Sequence, residues 1–348
     1  MELSLRTVRE VMGLAPDIRL GLVLERATRR DHRLGGTVCS LAAAEGHRMG
    51  ALGTALLDVE RARRDEHERL IELVRKAGRA DVLKGAALQG YYPPGVLRTS
   101  RDVDLLMPDE GELWAAVAAV ARARPVDEAR VSMLESDGCR HWAVALNWPS
   151  PESDLDHVYA AEFLSAPFVG NSTTVPLRTE WPANPTVASL LLIAEELFQQ
   201  PLRGRDVVDV AVLVDAMTER DVTDLHHAAE HWMLAPEVRE ALVRVNAVPG
   251  LATGTSHALA RDLRAAAERE LARRAAAAGP DDDTAAVLHY GFSLGPALSS
   301  PTVVVEQDAD MTVVRCPVGG YLMVDTLSVP VELALAALDR YPGAVLPD

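Results

Sequence analysis

Apolar residues recur at helical spacing from Leu3 to about Arg75, with breaks near Pro16 and at Gly35-Gly36. Over residues 55–75, Leu56, Val59, Leu70, Leu73 and Val74 make an apolar stripe between dense charges, which predicts an amphipathic helix, and Gly78 supplies a stop. The pattern then changes. A short apolar segment at 81–87 leads into a breaker region at 90–95, and residues 102–107 alternate until Pro108, as a strand entering from a loop does. An Ala-rich helical pattern fills 110–124. Two strands are predicted at 129–134 and 141–148, joined by a Ser-Asp-Gly turn signal within 135–138. In the second, Trp142, Val144, Leu146 and Trp148 share one face, which leaves Ala143, Ala145 and Asn147 on the other. Loop-like sequence runs on to Pro185. Three helical patterns follow between Thr186 and Val248, the first two at 187–199 and 206–217. A long charged helix is predicted at 257–278, stopped by Gly279-Pro280 and followed by the acidic loop Asp281 to Asp283. Strands at 302–306, 311–316 and 321–325 and a helix near 331–338 close the chain.

These elements predict an α+β protein. Its parts are a helical N-terminal region (1–78), a small mixed-sheet core (79–165), a helical region (166–280) and a C-terminal β-rich appendage with a terminal helix (281–348). The length of 348 residues allows roughly two domains of ordinary size, each able to bury a core.

Charge narrows the partners. With 51 Asp+Glu against 35 Lys+Arg, the net charge of -16 argues against a surface that grips bulk nucleic acid, which needs clustered cations. Cys39, Cys139 and Cys316 lie far apart without a CxxC pair, so neither a disulfide framework nor a thiolate zinc site is expected. No stretch reaches the ~18 apolar residues of a membrane span, and no targeting segment opens the chain; a cytoplasmic protein without a membrane partner is expected. All but two of the basic residues are arginine. The exceptions, Lys76 and Lys84, are worth inspecting for that reason.

The stretch LKGAALQGYYPPGVLRTSRDVDLLM, residues 83–107, carries the chemistry. Asp102 and Asp104 stand at i and i+2 on a predicted strand, so both carboxylates leave the same face a few Å apart. Like charges that close call for a cation, and hard divalent ions such as Mg²⁺ or Mn²⁺ bind through one or two carboxylates plus substrate phosphates. A bare Asp-x-Asp can equally be two solvated acids on an edge strand. Its company is what gives it meaning: Lys84 and Gly85 end the preceding apolar segment, where glycine lets backbone approach a phosphate and lysine supplies charge. Arg98 and Arg101, just before the acids, are placed to neutralise phosphate or to hold the loop.

This block resembles the uncharacterised nucleotidyltransferase family of the polymerase-beta-like superfamily, in which a Lys-Gly turn precedes an Arg-x-x-x-Asp-h-Asp-Leu-Leu strand, h being hydrophobic. The resemblance spans roughly residues 60–214 and includes a later Asp-x-x-Asp rhythm at Asp206 and Asp209. It implies a nucleotidyltransferase-like core in which Gly85 belongs to the turn over the nucleotide phosphates, Lys84 faces them, and Asp102 and Asp104 hold the metal. The implied reaction transfers a nucleotidyl group from an NTP, ATP foremost, to a small-molecule or peptide acceptor with loss of pyrophosphate. The family supplies a third acid on a later strand, in a segment resembling Asp/Glu-Leu-His-Trp. The best match here is Ala145-Leu146-Asn147-Trp148, with alanine in the acid's place. Either Asp154 or Asp156 substitutes for it, or the chain is a non-catalytic relative that binds nucleotide or a partner.

Three other motifs compete. Gly291-Phe292-Ser293-Leu294-Gly295 matches a nucleophile elbow, which needs a strand before Ser293 and a helix after it, yet Pro296 and Pro301 follow closely. His226, His227 and His231 offer an i, i+4 pair for zinc on what also reads as a solvated helix face. Residues 250–256, GLATGTS, look like a phosphate loop without its lysine.

Overall fold

The computed structural model describes residues 1–136, 138–151, 155, 158–171, 173–277, 287–295, 302–307 and 311–340. Four helices open the chain: α1 Leu5–Val11, α2 Leu20–Thr28, α3 Gly35–Ala44 and α4 Ala51–Ala77. The short strand β1 Asp81–Val82 and a 3-10 helix, Gly85–Tyr91, lead through a loop into β2 Asp102–Leu106. Helix α5 Glu110–Ala123 follows; the Asp109 side chain caps it by accepting from the Glu112 N–H at 2.8 Å, while Glu110 and Glu112 complement its dipole. Strands β3 Glu128–Ser136, β4 Cys139–Pro149 and β5 Val158–Leu164 complete the central sheet. The second helical region comprises α6 Pro185–Glu195, the 3-10 turn Glu196–Phe198, α7 Gly204–Ala216, α8 Glu219–His231, α9 Ala235–Asn246, α10 Gly254–Asp262 and α11 Arg264–Ala277. Strands β6 Val287–Gly295, β7 Val304–Gln307, β8 Thr312–Cys316 and β9 Gly319–Val324 precede α12 Val331–Arg340.

All described strands join one mixed sheet in the order β1-β2-β5-β4-β3-β6-β9-β8-β7. The α+β expectation holds, and the C-terminal strands extend the central sheet through antiparallel pairing of β3 with β6. Its two faces differ. On one, Val103, Leu105, Trp142, Val144, Leu146, Tyr159 and Phe163 pack against Leu70 and Val74 of α4 and Trp114 and Val117 of α5. Trp114 meets Trp142 edge to face at 5.3 Å. The alternation expected for β4 puts its tryptophans on this face, and the opposite face keeps small and polar residues. That second face turns towards the helical core built from α1–α3 and α6–α11. Among the described residues no helix is long and apolar enough to cross a membrane.

Four expectations need correction. The loop expected up to Pro185 contains β5, whose Ala160-Ala161 pair weakens the strand signal although Tyr159, Ala161 and Phe163 alternate inward. The single helix expected at 257–278 is two, α10 and α11, divided at Leu263. Strand β6 was not expected either; it contains Ser293, whose Cα pairs with that of Tyr321. Ser293 therefore sits within a strand and not at a strand-to-helix elbow, which removes the hydrolase geometry. Residues 250–256 prove to be the capped start of α10: Thr253 accepts from the Ser256 N–H at 3.1 Å and Ser256 accepts from the Thr253 N–H at 2.9 Å. The acidic loop Asp281 to Asp283 and the candidate acids Asp154 and Asp156 lie outside the described residues.

Candidate active site

Strand β2 delivers Asp102 and Asp104 to the helix-facing side of the sheet, as their spacing predicts. Their neighbour is β5, which runs parallel, with Asp104 opposite Glu162. Strand β4 lies one position farther, and there Ala145 stands opposite Glu162. A third carboxylate, Glu162 of β5, thus stands beside the Asp pair, while Ala145 lies on β4, one strand farther from β2. Across the sheet one row reads Asp104, Glu162, Ala145, Arg130. Ala145 leaves space between a carboxylate and a guanidinium, and with Ala143 and Ser132 it keeps this face low.

The result is a cleft of about 850 Å³, within the size range of small-ligand sites. Asp102, Asp104, Glu162, Lys84, Gly85 and Arg98 line one end, and Ser132, His141, Ala143, Leu288 and Tyr290 line the other. Strand β6 therefore contributes a wall of the site.

Asp104 is only 3% exposed. Burial and then the negative charges of Asp102, Glu162 and Glu196 push its carboxyl well above the ordinary range, with Lys84 opposing. Burial raises Glu162 as well, against the pull of Lys84. Lys84 donates to Glu196 Oε1 at 2.5 Å. Burial alone would lower its pKa, but Asp104, Glu196 and Asp102 more than offset this and keep the ammonium charged.

Gly85 follows with φ +74°, and a Cβ there would stand 3.0 Å from Ser100 Oγ. Only glycine turns the chain here without strain, which brings backbone close beneath the Asp strand. Ser100 in turn donates to the Asp102 carbonyl at 2.8 Å.

The loop between the 3-10 helix and β2 is tied down at several points. The Arg98 N–H donates to Gln89 Oε1 at 2.9 Å, the Leu97 N–H to Ser40 Oγ at 2.8 Å, and the Gly36 N–H to Thr99 Oγ1 at 3.0 Å. The Arg98 side chain makes a buried bidentate pair with Asp209, Nε to Oδ1 at 2.9 Å and Nη2 to Oδ2 at 2.7 Å, and the Tyr92 hydroxyl donates to the same carboxylate at 2.6 Å. Of the two roles open to Arg98, holding the loop is the one seen in its bonds, although its Nη1 has no hydrogen-bond partner. Arg101 is exposed and lies outside the cleft lining.

Could a metal sit here? The donors are anionic oxygens only, which suits a hard dication such as Mg²⁺ or Mn²⁺. Among the described residues no three His, Cys, Asp or Glu side chains converge as ligands around one point. In donor type, though not as a converged set of three, the residues suit such an ion.

His226, His227 and His231 lie on α8, away from the cleft; His231 Nε2 meets Glu180 Oε2 at 2.9 Å and its ring stacks edge-on with Trp232. This is the solvated-face arrangement. Glu162 escaped sequence reading because its strand did; the signal that could have found it is the inward alternation of Tyr159, Ala161 and Phe163.

No protein-family model matches the chain, and no curated relative matches it. Among solved structures, one described as a "putative nucleotidyltransferase from H. pylori" is similar at 13% identity and a TM-score of 0.28, over 60% of this chain and 96% of that one, a likeness too slight to define a shared fold.

Proposed function

We propose that the chain is a metal-dependent nucleotidyltransferase that uses Mg²⁺ or Mn²⁺ and an NTP, ATP foremost, to modify a small-molecule or peptide acceptor. The observation that carries this reading is the placing of Asp102, Asp104 and Glu162 on adjoining parallel strands beside the Lys84-Gly85 turn. In the reaction an acceptor hydroxyl attacks the α-phosphorus in line, a new P–O bond forms as the hydroxyl proton passes to a site carboxylate or to solvent, the bond to the bridging oxygen breaks and pyrophosphate leaves with the electron pair.

Asp102, Asp104 and Glu162 would hold the dication, which when bound neutralises phosphate charge and activates the attacking oxygen. Lys84 keeps a positive charge at the same end of the cleft. The Gly85 turn, which a Cβ would crowd against Ser100 Oγ, presents backbone to the phosphates. The floor at Ala143 and Ser132 leaves room for the acceptor, and the acidic surface of the chain favours a small one over a polynucleotide. The non-catalytic alternative rests on alanine at position 145; Glu162 beside Asp104 offers a third carboxylate and so supports the catalytic reading.

The test is calorimetric titration of ATP, with and without Mg²⁺, into wild type and Glu162→Gln. Wild type should bind ATP in a Mg²⁺-dependent manner, and Glu162→Gln should weaken this by at least about tenfold. No ATP binding by wild type at millimolar concentration would sink the proposal.

A further inference from the structure

We infer that Arg33, with Arg98 and with Arg203 behind them, forms a subsite for the terminal phosphates of the bound nucleotide. As to its ligand the inference rests on the nucleotidyl-transfer reading, but the site itself stands on separate observations.

Arg33 belongs to the loop between α2 and α3, remote in sequence from the Lys84-Gly85 and Asp102-Asp104 block, yet it lines the same cleft as Lys84, Arg98 and Arg205. Its backbone has φ 54°, one of two non-glycine residues with positive φ among those described. Arginine has no local reason to adopt that conformation, and such strain persists where the surroundings impose it, often at ligand sites. The surroundings here are identifiable. The Leu34 N–H donates to the Ala27 carbonyl at 2.7 Å, the Arg205 N–H to the His32 carbonyl at 2.8 Å and the Gly204 N–H to the Asp31 carbonyl at 3.2 Å. The loop is thereby clamped to the start of α7, and Gly204 permits the approach, since a Cβ there would stand 3.1 Å from His32 Nδ1.

Three arginines here keep an unused donor, although Arg98 is paired with Asp209 and Arg203 Nη2 donates to Gln200 Oε1. Arg33 Nε, Arg98 Nη1 and Arg203 Nη1 are buried without a hydrogen bond. Arg98 is a side chain more than nine-tenths buried, and its Nη1 lies 3.8 Å from where a Gly85 Cβ would be. Nearby acids are already engaged: Glu196 by Lys84, Asp206 by Arg205 at 3.1 Å, and Asp209 by Arg98. Arg33 and Arg203 have no ion-pair partner among the described residues. Burial and then the charges of Arg203, Arg205 and Arg101 press on Arg33, with Asp102 as the opposing charge. An Arg33 guanidinium pressed by neighbouring cations, with unused donors on it, on Arg98 and on Arg203, describes a site for a multivalent anion, and a phosphate group supplies acceptors in the geometry arginine prefers.

The test compares wild type, Arg33→Gly and Arg33→Asn by calorimetry with sodium tripolyphosphate alone, and with ATP and AMP in the presence of Mg²⁺. Glycine and asparagine both tolerate positive φ, so each variant should keep the wild-type circular dichroism and melting temperature. Tripolyphosphate and ATP affinity should fall about tenfold or more in both, while AMP affinity stays unchanged. Equal ATP affinity in wild type and variants, or no tripolyphosphate binding by wild type, overturns the subsite. Arg33-dependent tripolyphosphate binding without ATP binding keeps the subsite and refutes the nucleotidyl-transfer reading instead.

Discussion

Asp104→Asn is expected to abolish nucleotidyl transfer, with a loss on the order of 10³-fold, and yet to melt at a higher temperature than wild type in chelator. Both effects come from one side chain. Asp104 is buried beside Asp102 and Glu162, an arrangement useful to a bound dication and costly without one. Because folding raises its pKa, the ionised form is better tolerated in the unfolded chain. Its contribution to stability is therefore retained at low pH and falls as pH rises from the ordinary carboxylate range towards the raised folded value. Asparagine removes the charge at nearly constant volume and should add about 1 kcal/mol near neutral pH. Thermal melting in EDTA at pH 5 and pH 8 checks the sign, since the advantage of the variant should be larger at pH 8. A variant that is both active and less stable would contradict this account of Asp104.

The second large effect is structural. Asp209→Ala should destabilise the fold by about 3–5 kcal/mol, because it strands the buried Arg98 guanidinium and takes the acceptor from the Tyr92 hydroxyl. The pair joins α7 to the loop that carries Ser100 into β2, so nucleotide affinity should fall with stability. Replacing both partners, Arg98→Met with Asp209→Leu, should recover much of the stability, since a buried pair contributes little net stabilisation over apolar residues of similar size. Urea denaturation of the three proteins measures this. A double variant as unstable as Asp209→Ala would show that the cost lies in packing and not in the stranded charge.

What sequence could and could not reveal follows from how far each signal reaches along the chain. Asp102 and Asp104 announce themselves because strand periodicity is local, and Lys84-Gly85 because a turn needs its glycine in place. The alternation of β4 identifies its buried face, Trp142 to Trp148, without any knowledge of its neighbours. Glu162 is different. Its strand follows a polar loop and has two alanines at its centre, so its own residues give weak evidence, and its role depends on lying parallel to β2 rather than beside β4. The rhythm of Asp206 and Asp209 was visible, but its meaning was not: Asp206 accepts from the Arg203 N–H at 2.8 Å to cap α7, whereas Asp209 holds Arg98 across 111 residues. Arg33 left no trace at all, since its backbone conformation and its place in the cleft are imposed by the clamp between its loop and α7.

The central claim is that Asp102, Asp104 and Glu162 jointly hold the metal of a nucleotide site. A crystal structure with Mn²⁺ and a non-hydrolysable ATP analogue, with anomalous data for manganese, tests it most directly. The account predicts an anomalous peak within about 2.0–2.3 Å of oxygens from all three side chains, with the phosphates turned towards Lys84 and Arg33. A peak bound by other residues, or an analogue seated outside this cleft, would contradict it.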